Sequence, residues 1–432
     1  MKNHGKGKRR RLDGGGTRSS DELEEQSAGN QQQIRSRSIY FVVNVLIGGN
    51  RALAHLYKVD HPYPCSPTPS RLHPVATMDA TAGITYVPLH TRSRTRTRRW
   101  IVAISARRTT VFDADTEELI PGPDLLSKKL SPALVSVEDK IYALSTFPHI
   151  KGERDLEPWL EVLDLSTARV VDGRLQGCSW EELPSPPCFP SPSRLTPHEL
   201  RYPPMVTVHS YVLVGSYLLM SLKSPTCRAT YAFHTVSAKW QTVDDRNSLP
   251  FVGRAIPHDA AAGVYLGESS GDKRRWSLPR QEQPAVLIAY RIKLLPAASL
   301  LSGNDPAIKL SVTGVPVKSS SETITDDNAD GAVKGIFCFS LHNGGSFCSL
   351  NWRSRKRIQR SRDYDLLSDE IYLPNKAYIT LKTYQMEDED SSVLQQDKAT
   401  HKIAIPEQPA EHEFKIRTKV GGLVYPDYLT VL

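Results

Sequence analysis

Arginine and lysine form three short clusters whose positive charge could bind an acidic partner, such as a phosphate backbone. The clusters read KNHGKGKRRR at residues 2–11, RSRTRTRR at residues 92–99 and RSRKRIQRSR at residues 353–362, and none contains an acidic residue. The whole chain has a formal net charge of +8, so the chain outside the clusters is net acidic. This pattern excludes a uniformly basic nucleic-acid-binding face and indicates short charged segments on an acidic body.

The two internal clusters could contact nucleic acid. Alternating arginines on an extended chain project to one side, and Trp352 precedes the second cluster, a mixture suited to phosphate contact and base stacking. The candidate contact residues are Arg94, Arg96, Arg355 and Arg357. Because both clusters fall between predicted strands, where charged loops are common, we favour binding of an acidic protein or simple solubility. Nucleic-acid binding is the alternative.

The N-terminal segment, residues 1–37, is rich in Lys, Arg, Gly, Ser, Gln and Glu and almost devoid of apolar side chains. Such a segment cannot bury enough apolar surface to offset the entropy of ordering, so we predict a disordered basic tail. Within it, a cluster of the kind that nuclear import receptors bind is formed by Lys6, Lys8, Arg9, Arg10 and Arg11. We therefore expect the protein in the nucleus, the cytoplasm or both.

Sequence patterns for catalysis and phosphate binding are absent: the chain has no GxSxG elbow, no HExxH motif and no GxxxxGK[ST] loop. His209, His234 and His258 fall at predicted strand ends or in loops, where a solvent-facing or hydrogen-bonded imidazole is the ordinary role. Asp113 and Asp164 follow strands, and we expect them to accept backbone N–H groups in Asx turns. We predict no catalytic residue, no cofactor and no enzyme activity.

Six cysteines in 432 residues are too few for a disulfide framework. There is no CxxC motif, and the pairs Cys178/Cys188 and Cys338/Cys348 lack the histidine spacing of a zinc site. We therefore predict no metal site and buried free thiols. The longest apolar run, residues 39–47, is less than half of the roughly 20 residues that span a bilayer, so no membrane partner is expected.

From residue 38 onward, short β-branched and aromatic runs alternate with Pro, Gly, Asp and Ser, which predicts an all-β fold. One unit recurs: an alternating strand ends at an Asp or its replacement and is followed by a turn. The copies end at Asp60, Asp113, Asp164, His234 and Arg291. A second apolar strand precedes most copies, as in WIVAIS, DKIYALS, SYLLMS and AGVYLG. Three or four short strands in about 50 residues match one blade of a β-propeller.

The predicted propeller occupies residues 38–432 and has about six blades, and five or seven blades are the alternatives. A sixth unit must come from the C-terminal third, where KGIFCFSL, AYITLKTY and HKIAIPE are the candidate strands. The polar stretch VKSSSETITDDNADG, residues 317–331, is predicted to be a disordered insertion.

Three tryptophans, Trp100, Trp180 and Trp240, recur within the units. They could line a ligand cage, but their regular placement favours packing between neighbouring sheets. We expect Trp240 in particular to be buried.

The segments VFDADT, LIPGPDL and YAFHTVSAKW resemble kelch-type repeats, in which an aromatic–Asp pair, a turn, a tryptophan and a Leu-Pro stop recur in each blade. Between about residues 39 and 290, the order of segments is similar to a family of kelch-like plant proteins expanded in cereal grasses. The resemblance implies a kelch-like propeller and no established activity. Two departures are Ser145 and Ser221, which stand where kelch blades usually carry a glycine pair.

The function that this combination favours is a non-catalytic protein-interaction scaffold. A propeller gathers its loops on two faces of a rigid disc, which suits partner recognition and requires no chemistry. The alternative is a nucleic-acid-associated protein that uses the arginine-rich loops. The sequence does not identify the protein partner.

Overall fold

Strands make up almost all of the secondary structure in the computed structural model of this chain. The structure describes residues 37–48, 51–61, 70–80, 83–92, 97–148, 155–190, 196–201, 206–223, 229–269, 287–296, 308–315, 317–318, 334–341, 346–353, 359–360, 371–372, 375–385, 403–404, 410–418 and 422–431. In these residues the helix content is a single short segment, α1 (Pro197–Arg201). The prediction of an all-β fold is confirmed.

The first three sheets each contain four antiparallel strands. Sheet 1 has the order β31 (Gly422–Val431), β1 (Arg37–Gly48), β2 (Arg51–His61) and β4 (Pro74–Asp79). Sheet 2 has the order β5 (Thr85–Arg92), β6 (Thr97–Ser105), β7 (Arg108–Asp113) and β8 (Glu118–Pro121). Sheet 3 has the order β9 (Ala133–Val137), β10 (Lys140–Leu144), β11 (Leu160–Asp164) and β14 (Trp180–Glu182).

Three further sheets repeat this design. Sheet 4 has the order β15 (Thr207–Val214), β16 (Tyr217–Lys223), β17 (Thr230–His234) and β18 (Lys239–Asp244). Sheet 5 has the order β19 (Phe251–Asp259), β20 (Val264–Ser269), β21 (Leu287–Pro296) and β22 (Ile308–Val315). Sheet 6 has the order β24 (Lys334–Leu341), β25 (Ser346–Arg353), β28 (Lys376–Gln385) and β30 (Ala410–Arg417), with β3 (Ser70–Arg71) added in parallel at the edge. Sheets 4 and 5 are joined by a short parallel pairing of β15 with β19.

Small two-stranded elements decorate the sheets. They are the antiparallel pair β12 (Arg169–Val171) and β13 (Arg174–Gln176), the parallel pair β23 (Val317–Lys318) and β29 (Ile403–Ala404), and the antiparallel pair β26 (Gln359–Arg360) and β27 (Ile371–Tyr372).

The repeated sequence unit corresponds to one structural position. All five copies lie in the third strand of a sheet, namely β2, β7, β11, β17 and β21. The apolar segments that precede four of these copies form the second strands β6, β10, β16 and β20. The sequence repeat is therefore confirmed as a repeat of structure.

The sheets follow one another in a closed circuit. The first strands of sheets 6, 1, 2 and 3 contact each other in that order, as do those of sheets 4, 5 and 6. Sheets 3 and 4 share an apolar cluster that includes Leu144 and Phe233. This arrangement of the unit Ser38–Leu432 is β-propeller-like.

Apolar clusters between neighbouring sheets form the core. Successive residues of a strand point to opposite faces of its sheet, and strand β10 shows the result: Ile141 packs in the cluster shared with sheet 2, whereas Tyr142 packs in the cluster shared with sheet 4. Both side chains are buried. Because each sheet is covered on both faces, its central strands are apolar at consecutive positions rather than at alternate ones.

The C-terminal third differs in part from the prediction. KGIFCFSL and AYITLKTY correspond to strands β24 and β28 of sheet 6. HKIAIPE contains a strand, the short β29, but β29 pairs with β23 and does not belong to the sixth unit, so that part of the prediction is wrong; the fourth strand of sheet 6 is β30. The predicted insertion at residues 317–331 begins with the short strand β23, and its remaining residues lie outside the described part of the chain.

Candidate functional site

The residues predicted to contact nucleic acid or to direct nuclear import lie outside the described residues. This applies to Arg94, Arg96, Arg355 and Arg357 and to the cluster Lys6, Lys8, Arg9, Arg10 and Arg11. The strand ends that flank the internal clusters are described. Arg92 ends β5, the first strand of sheet 2, whereas Arg353 ends β25 and pairs with Lys334 at the start of β24, the first strand of sheet 6.

Two arginines of the cluster at residues 92–99 make contacts inside the protein. The Arg98 guanidinium lies 4.7 Å from the centre of the Trp100 ring and donates at 2.7 Å to the carbonyl of Ala168, which lies between β11 and β12. Arg99 donates from Nε to Asp115 Oδ1 at 2.8 Å. These side chains connect turns and neighbouring sheets. The Asp115 carboxylate partly neutralises the charge of Arg99.

The aspartates after the third strands stabilise turns, as predicted. Asp113 accepts the backbone N–H of Asp115 at 2.9 Å, and Asp164 accepts that of Ser166 at 2.9 Å. His234 takes the same position in sheet 4 and faces the N–H of Ser237 through its Nδ1 at 3.2 Å. The recurring Asp or His is thus a structural feature of the repeat.

The tryptophans pack between sheets, as predicted from their spacing. Trp180 of sheet 3 donates from Nε1 to Thr109 Oγ1 at 2.9 Å and to the Pro123 carbonyl at 3.2 Å, both on the side of sheet 2. Trp240 of sheet 4 donates to the Pro184 carbonyl, after the last strand of sheet 3, at 2.7 Å. In both cases the tryptophan of one sheet donates a hydrogen bond to the proline-rich segment that follows the last strand of the preceding sheet. The expectation that Trp240 is buried is wrong, since this side chain is only partly covered.

The other reactive or metal-binding side chains of the described residues do not form a common site. His258 is buried, and burial lowers the pKa of its imidazole. Within the residues that the structure describes, no group of three or more His, Cys, Asp or Glu side chains could hold a metal ion. Cys178 and Cys188 form no disulfide and are partly exposed, so the prediction of buried thiols is wrong for these two residues. Burial raises the pKa of the Cys178 thiol.

A buried ion pair lies where the chain crosses from sheet 2 to sheet 3. Lys129 and Glu161 are both 0% exposed and form a close salt bridge. Lys129 Nζ also donates to Ser127 Oγ at 2.6 Å and to the Pro158 carbonyl at 2.8 Å. Burial lowers the pKa of Lys129, while the carboxylates of Glu161 and Asp155 oppose that shift. No motif in the sequence distinguishes this lysine from its neighbour.

Two buried carboxylates, Glu161 and Asp155, hold the loops around this pair. Their backbone donors lie 2.7 to 3.3 Å away and are Leu126 and Ser127 for Glu161, and Leu130, Thr146 and Phe147 for Asp155. A carboxylate that accepts several backbone N–H groups fixes the position of the loop that supplies them. The two loops, which precede β9 and follow β10, are therefore rigidly attached to sheet 3.

These loops present three large apolar side chains to solvent. Leu126, Phe147 and Leu156 are 47%, 40% and 39% exposed. Leu126 and Phe147 are anchored through their own backbone N–H groups, and Leu156 follows Asp155 and donates to the Lys128 carbonyl at 3.1 Å. We call Leu126, Phe147 and Leu156 the apolar patch. Rigidly held loops that expose large apolar side chains are suited to binding a partner.

The apolar patch lies on one end of the propeller-like body. Ala133 begins β9, the first strand of sheet 3, and pairs with Leu144 at the end of β10. The loops that carry the patch precede Ala133 and follow Leu144, so they emerge at the start of this first strand. Exposed loops on a rigid scaffold are common positions for binding residues.

No helix among the described residues is long and apolar enough to cross a membrane.

Comparison with known proteins identifies a family but no activity. A family model described as a protein of unknown function (DUF1668) matches residues 36–402. No curated protein matches the chain significantly. An engineered GH43 glycoside hydrolase with endo-xylanase and exo-arabinofuranosidase activity is similar in structure, with a TM-score of 0.30, 10% identity, and coverage of 91% of this chain and 96% of that chain. TolB from Acinetobacter baumannii is similar with a TM-score of 0.28, 11% identity, and coverage of 90% and 82% respectively.

Proposed function

We propose that this chain, which belongs to the DUF1668 family of proteins of unknown function, is a non-catalytic protein-interaction scaffold built on a six-bladed kelch-like propeller. Each of the six sheets is then one blade of four strands, to which β3 adds a fifth strand in sheet 6. The first strand of blade 1 is β31, so the two ends of the folded body are joined in one sheet through pairs such as Ile39 with Val431. Such closure removes the free edges that sheets otherwise expose.

The observation that carries the proposed function is the apolar patch. Three large apolar side chains that are 39% to 47% exposed each forgo about 0.5 to 1.5 kcal/mol of burial free energy. Bonds from the backbone of Leu126 and Phe147 to buried carboxylates hold these two residues in place. Rigid presentation reduces the ordering entropy that a partner must overcome on binding. A partner protein with a complementary apolar surface would cover the patch.

Charge placement favours a protein partner over nucleic acid. The innermost strands β15 and β19 run parallel, and in a propeller all innermost strands share this direction. Arg92 is then at the C-terminal end of the innermost strand β5. Arg353, at the end of β25, lies beside the N-terminal end of the innermost strand β24. The arginine-rich loops would emerge on opposite faces of the disc, so they could not hold one nucleic-acid strand together.

The basic cluster Lys6, Lys8, Arg9, Arg10 and Arg11 supports a nuclear as well as a cytoplasmic location, because short basic clusters are read by import receptors. A scaffold that moves between these compartments would meet its partners in both.

The test is quantitative affinity capture with a variant of the patch. The tagged full-length chain and the double variant Leu126→Asp/Phe147→Asp are used to capture proteins from extracts of cells that express the chain. We expect at least one protein to be retained by the wild type and reduced about tenfold or more with the variant, because two desolvated apolar contacts at a hot spot are each worth about 1 kcal/mol or more.

The matched control is Val236→Asp, which replaces an apolar residue that is 79% exposed in the turn between β17 and β18. This variant should capture the same proteins as the wild type. Because every altered side chain is at least 40% exposed, all three proteins should remain folded, and thermal unfolding checks this. An identical set of captured proteins for the wild type and the patch variant would refute the proposed role of the patch.

A further inference from the structure

Four cationic side chains from distant parts of the sequence share one face of sheet 6. They are Arg71 on β3, Lys376 on β28, and Lys415 and Arg417 on β30. The two arginines are exposed, and the two lysines are partly exposed. We call these four residues the basic patch. Because its members come from three strands, and β3 is far from β28 and β30 along the chain, no cluster in the sequence identifies it.

The packing of sheet 6 against sheet 1 shows on which face the basic patch lies. Four residues of β28 and β30 are buried in the apolar cluster shared with sheet 1, namely Ala377, Ile379, Phe414 and Ile416. The patch residues of these two strands alternate with those four, so they lie on the other face of the sheet. Leu72 also packs against the cluster, which places its neighbour Arg71 on the same face as the other cations.

The pairing of the strands brings the four cations close together. Lys376 lies directly opposite Arg417, and Lys415 lies directly opposite Arg71. Directly opposite residues of an antiparallel pair have Cβ atoms roughly 4.5 to 5.5 Å apart. Lys415 and Arg417 are two residues apart on one strand, which separates them by about 7 Å. The basic patch is therefore a compact group of charges.

The protein neutralises little of this charge. No salt bridge joins Arg71, Lys415 or Arg417 to another described residue. One carboxylate, that of Glu413, is placed on the same face, opposite Thr380. Like charges that face each other on neighbouring strands destabilise a sheet. An anion from outside the protein would relieve this repulsion.

A phosphomonoester matches a compact group of cations. It carries about −1.5 to −2 charges at neutral pH and three acceptor oxygens on a single group. The arginine guanidinium can donate two parallel N–H groups to such oxygens, and the lysine ammonium adds a point charge. A nucleic-acid strand carries one charge for each phosphate along its length, so it matches a long basic stripe better than a compact patch.

From this geometry we propose that the basic patch binds a phosphorylated side chain in a segment of a partner protein. The exposed Arg71 and Arg417 donate to the phosphate oxygens, and the two lysines between them supply further positive charge. Arginine clusters recognise phosphorylated segments in this way. Binding then depends on phosphorylation of the partner. The basic patch lies in sheet 6 and the apolar patch beside sheet 3, so this inference goes beyond the proposed role of the apolar patch.

The test measures binding of a fluorescein-labelled peptide, Ala-Gly-Ala-phosphoserine-Ala-Gly-Ala, to the full-length chain by fluorescence anisotropy at physiological salt. The same peptide with unmodified serine is the control probe. We expect saturable binding of the phosphopeptide with a Kd below about 1 mM and no saturable binding of the control peptide.

Two double variants with the same change in net charge show whether the basic patch is the binding site. Arg71→Gln/Arg417→Gln should weaken phosphopeptide binding about tenfold or more, because charge-assisted hydrogen bonds to the phosphate are lost. The matched control is Arg169→Gln/Arg174→Gln, which replaces two exposed arginines of the pair β12 and β13 and should bind like the wild type. Since all four arginines are exposed, both variants should remain folded, and thermal unfolding checks this.

Three results would each overturn the proposal: equal affinity of the two double variants, equal binding of the unmodified peptide, or no binding of the phosphopeptide at about 1 mM. Tighter binding of a labelled single-stranded RNA than of the phosphopeptide, lost in Arg71→Gln/Arg417→Gln, would also overturn it and assign the basic patch to nucleic acid. Failure of the apolar patch is distinguishable, because Leu126→Asp/Phe147→Asp leaves the basic patch unchanged and should bind the phosphopeptide like the wild type.

Discussion

At the residue scale, the buried pair Lys129–Glu161 explains how two surface loops are held in place. Each charge loses its hydration on burial, and that cost is offset only when the partner and the surrounding hydrogen bonds are all present. Lys129 has three such contacts, to Ser127, Pro158 and Glu161. Loss of the lysine would leave the Glu161 carboxylate buried without its countercharge.

We therefore predict that Lys129→Met lowers the free energy of unfolding by about 3 to 5 kcal/mol, measured by urea denaturation. Lys140→Met is the matched control, because the Lys140 Nζ atom lies 3.3 Å from Asp164 and both side chains are about half exposed. An exposed pair contributes at most about 1 kcal/mol. Equal effects of the two substitutions would show that the Lys129 pair is not buried.

The sequence predicted some of these residue roles and not others. Asp113 and Asp164 were identifiable because an Asx turn is a local structure encoded within a few residues. Lys129 was not, because this loop residue is buried against Glu161, which lies 32 residues away in strand β11. Its neighbour Lys128 is chemically identical and partly exposed. Position in the tertiary structure, rather than residue type, separates the two lysines.

At the element scale, tryptophan-to-carbonyl bonds connect successive sheets. Trp180 is 4% exposed, and its N–H reaches two acceptors across the boundary between sheets 2 and 3. Trp240 makes one such bond across the next boundary, at a partly exposed position. The same residue type therefore contributes differently at the two boundaries.

We predict that Trp180→Phe costs about 1 to 3 kcal/mol of stability, because the buried Thr109 hydroxyl and the partly buried Pro123 carbonyl lose their donor. Trp240→Phe should cost less, about 1 kcal/mol, since water can replace its bond. Thermal or urea unfolding of both variants gives the comparison. A larger loss for Trp240→Phe would contradict the assigned burial of the two rings.

Hairpin turns provide a second test at this scale. Gly215, between β15 and β16, and Gly263, between β19 and β20, both have positive φ, but a Cβ on Gly263 would lie 2.9 Å from the Ile292 carbonyl oxygen, whereas Gly215 has open space. Gly215→Ala should cost about 1 to 2 kcal/mol for the left-handed conformation alone. Gly263→Ala should cost more by about 1 kcal/mol or above because of the added clash. Equal melting temperatures would rule out the close approach.

The sequence pattern does not identify β30, which lies in sheet 6 between β28 and β3. Strand β30 reads AEHEFKIR, and its apolar residues Phe414 and Ile416 alternate with the charged Lys415 and Arg417. Phe414 and Ile416 are buried. Such alternation over a few residues is a weaker signal than the continuous apolar runs of central strands, so the sequence pattern favours the more apolar HKIAIPE.

At the scale of the whole molecule, pairing of β1 with β31 joins segments almost 400 residues apart. The sequence repeat predicted the blade-like units, because each unit is local, but no local pattern encodes this long-range pairing. The arrangement of the sheets also determines whether the two internal arginine clusters can bind one ligand together. Arg92 and Arg353 belong to loops that leave their sheets at different ends of the innermost strands.

We therefore predict only weak nucleic-acid binding that disappears near physiological salt. Binding through Z phosphates weakens by roughly 0.9 Z log units per log unit of salt on duplex DNA, and the first cluster has already committed Arg98 and Arg99 to internal contacts. Fluorescence anisotropy with labelled single-stranded RNA and duplex DNA across a salt series provides the measurement. Sub-micromolar affinity at physiological salt that is lost when Arg94, Arg96, Arg355 and Arg357 are replaced would favour the nucleic-acid alternative.

The central claim, that a partner protein covers the apolar patch, is tested most directly by site-specific photo-crosslinking in cells. The substitution Phe147→p-benzoylphenylalanine places the crosslinker in the patch, and Val236→p-benzoylphenylalanine places it at an exposed apolar position elsewhere, since Val236 is 79% exposed. The account predicts one or a few discrete protein adducts from position 147 that are absent from position 236. Adducts that are the same from both positions, or adducts to nucleic acid from position 147, would contradict it.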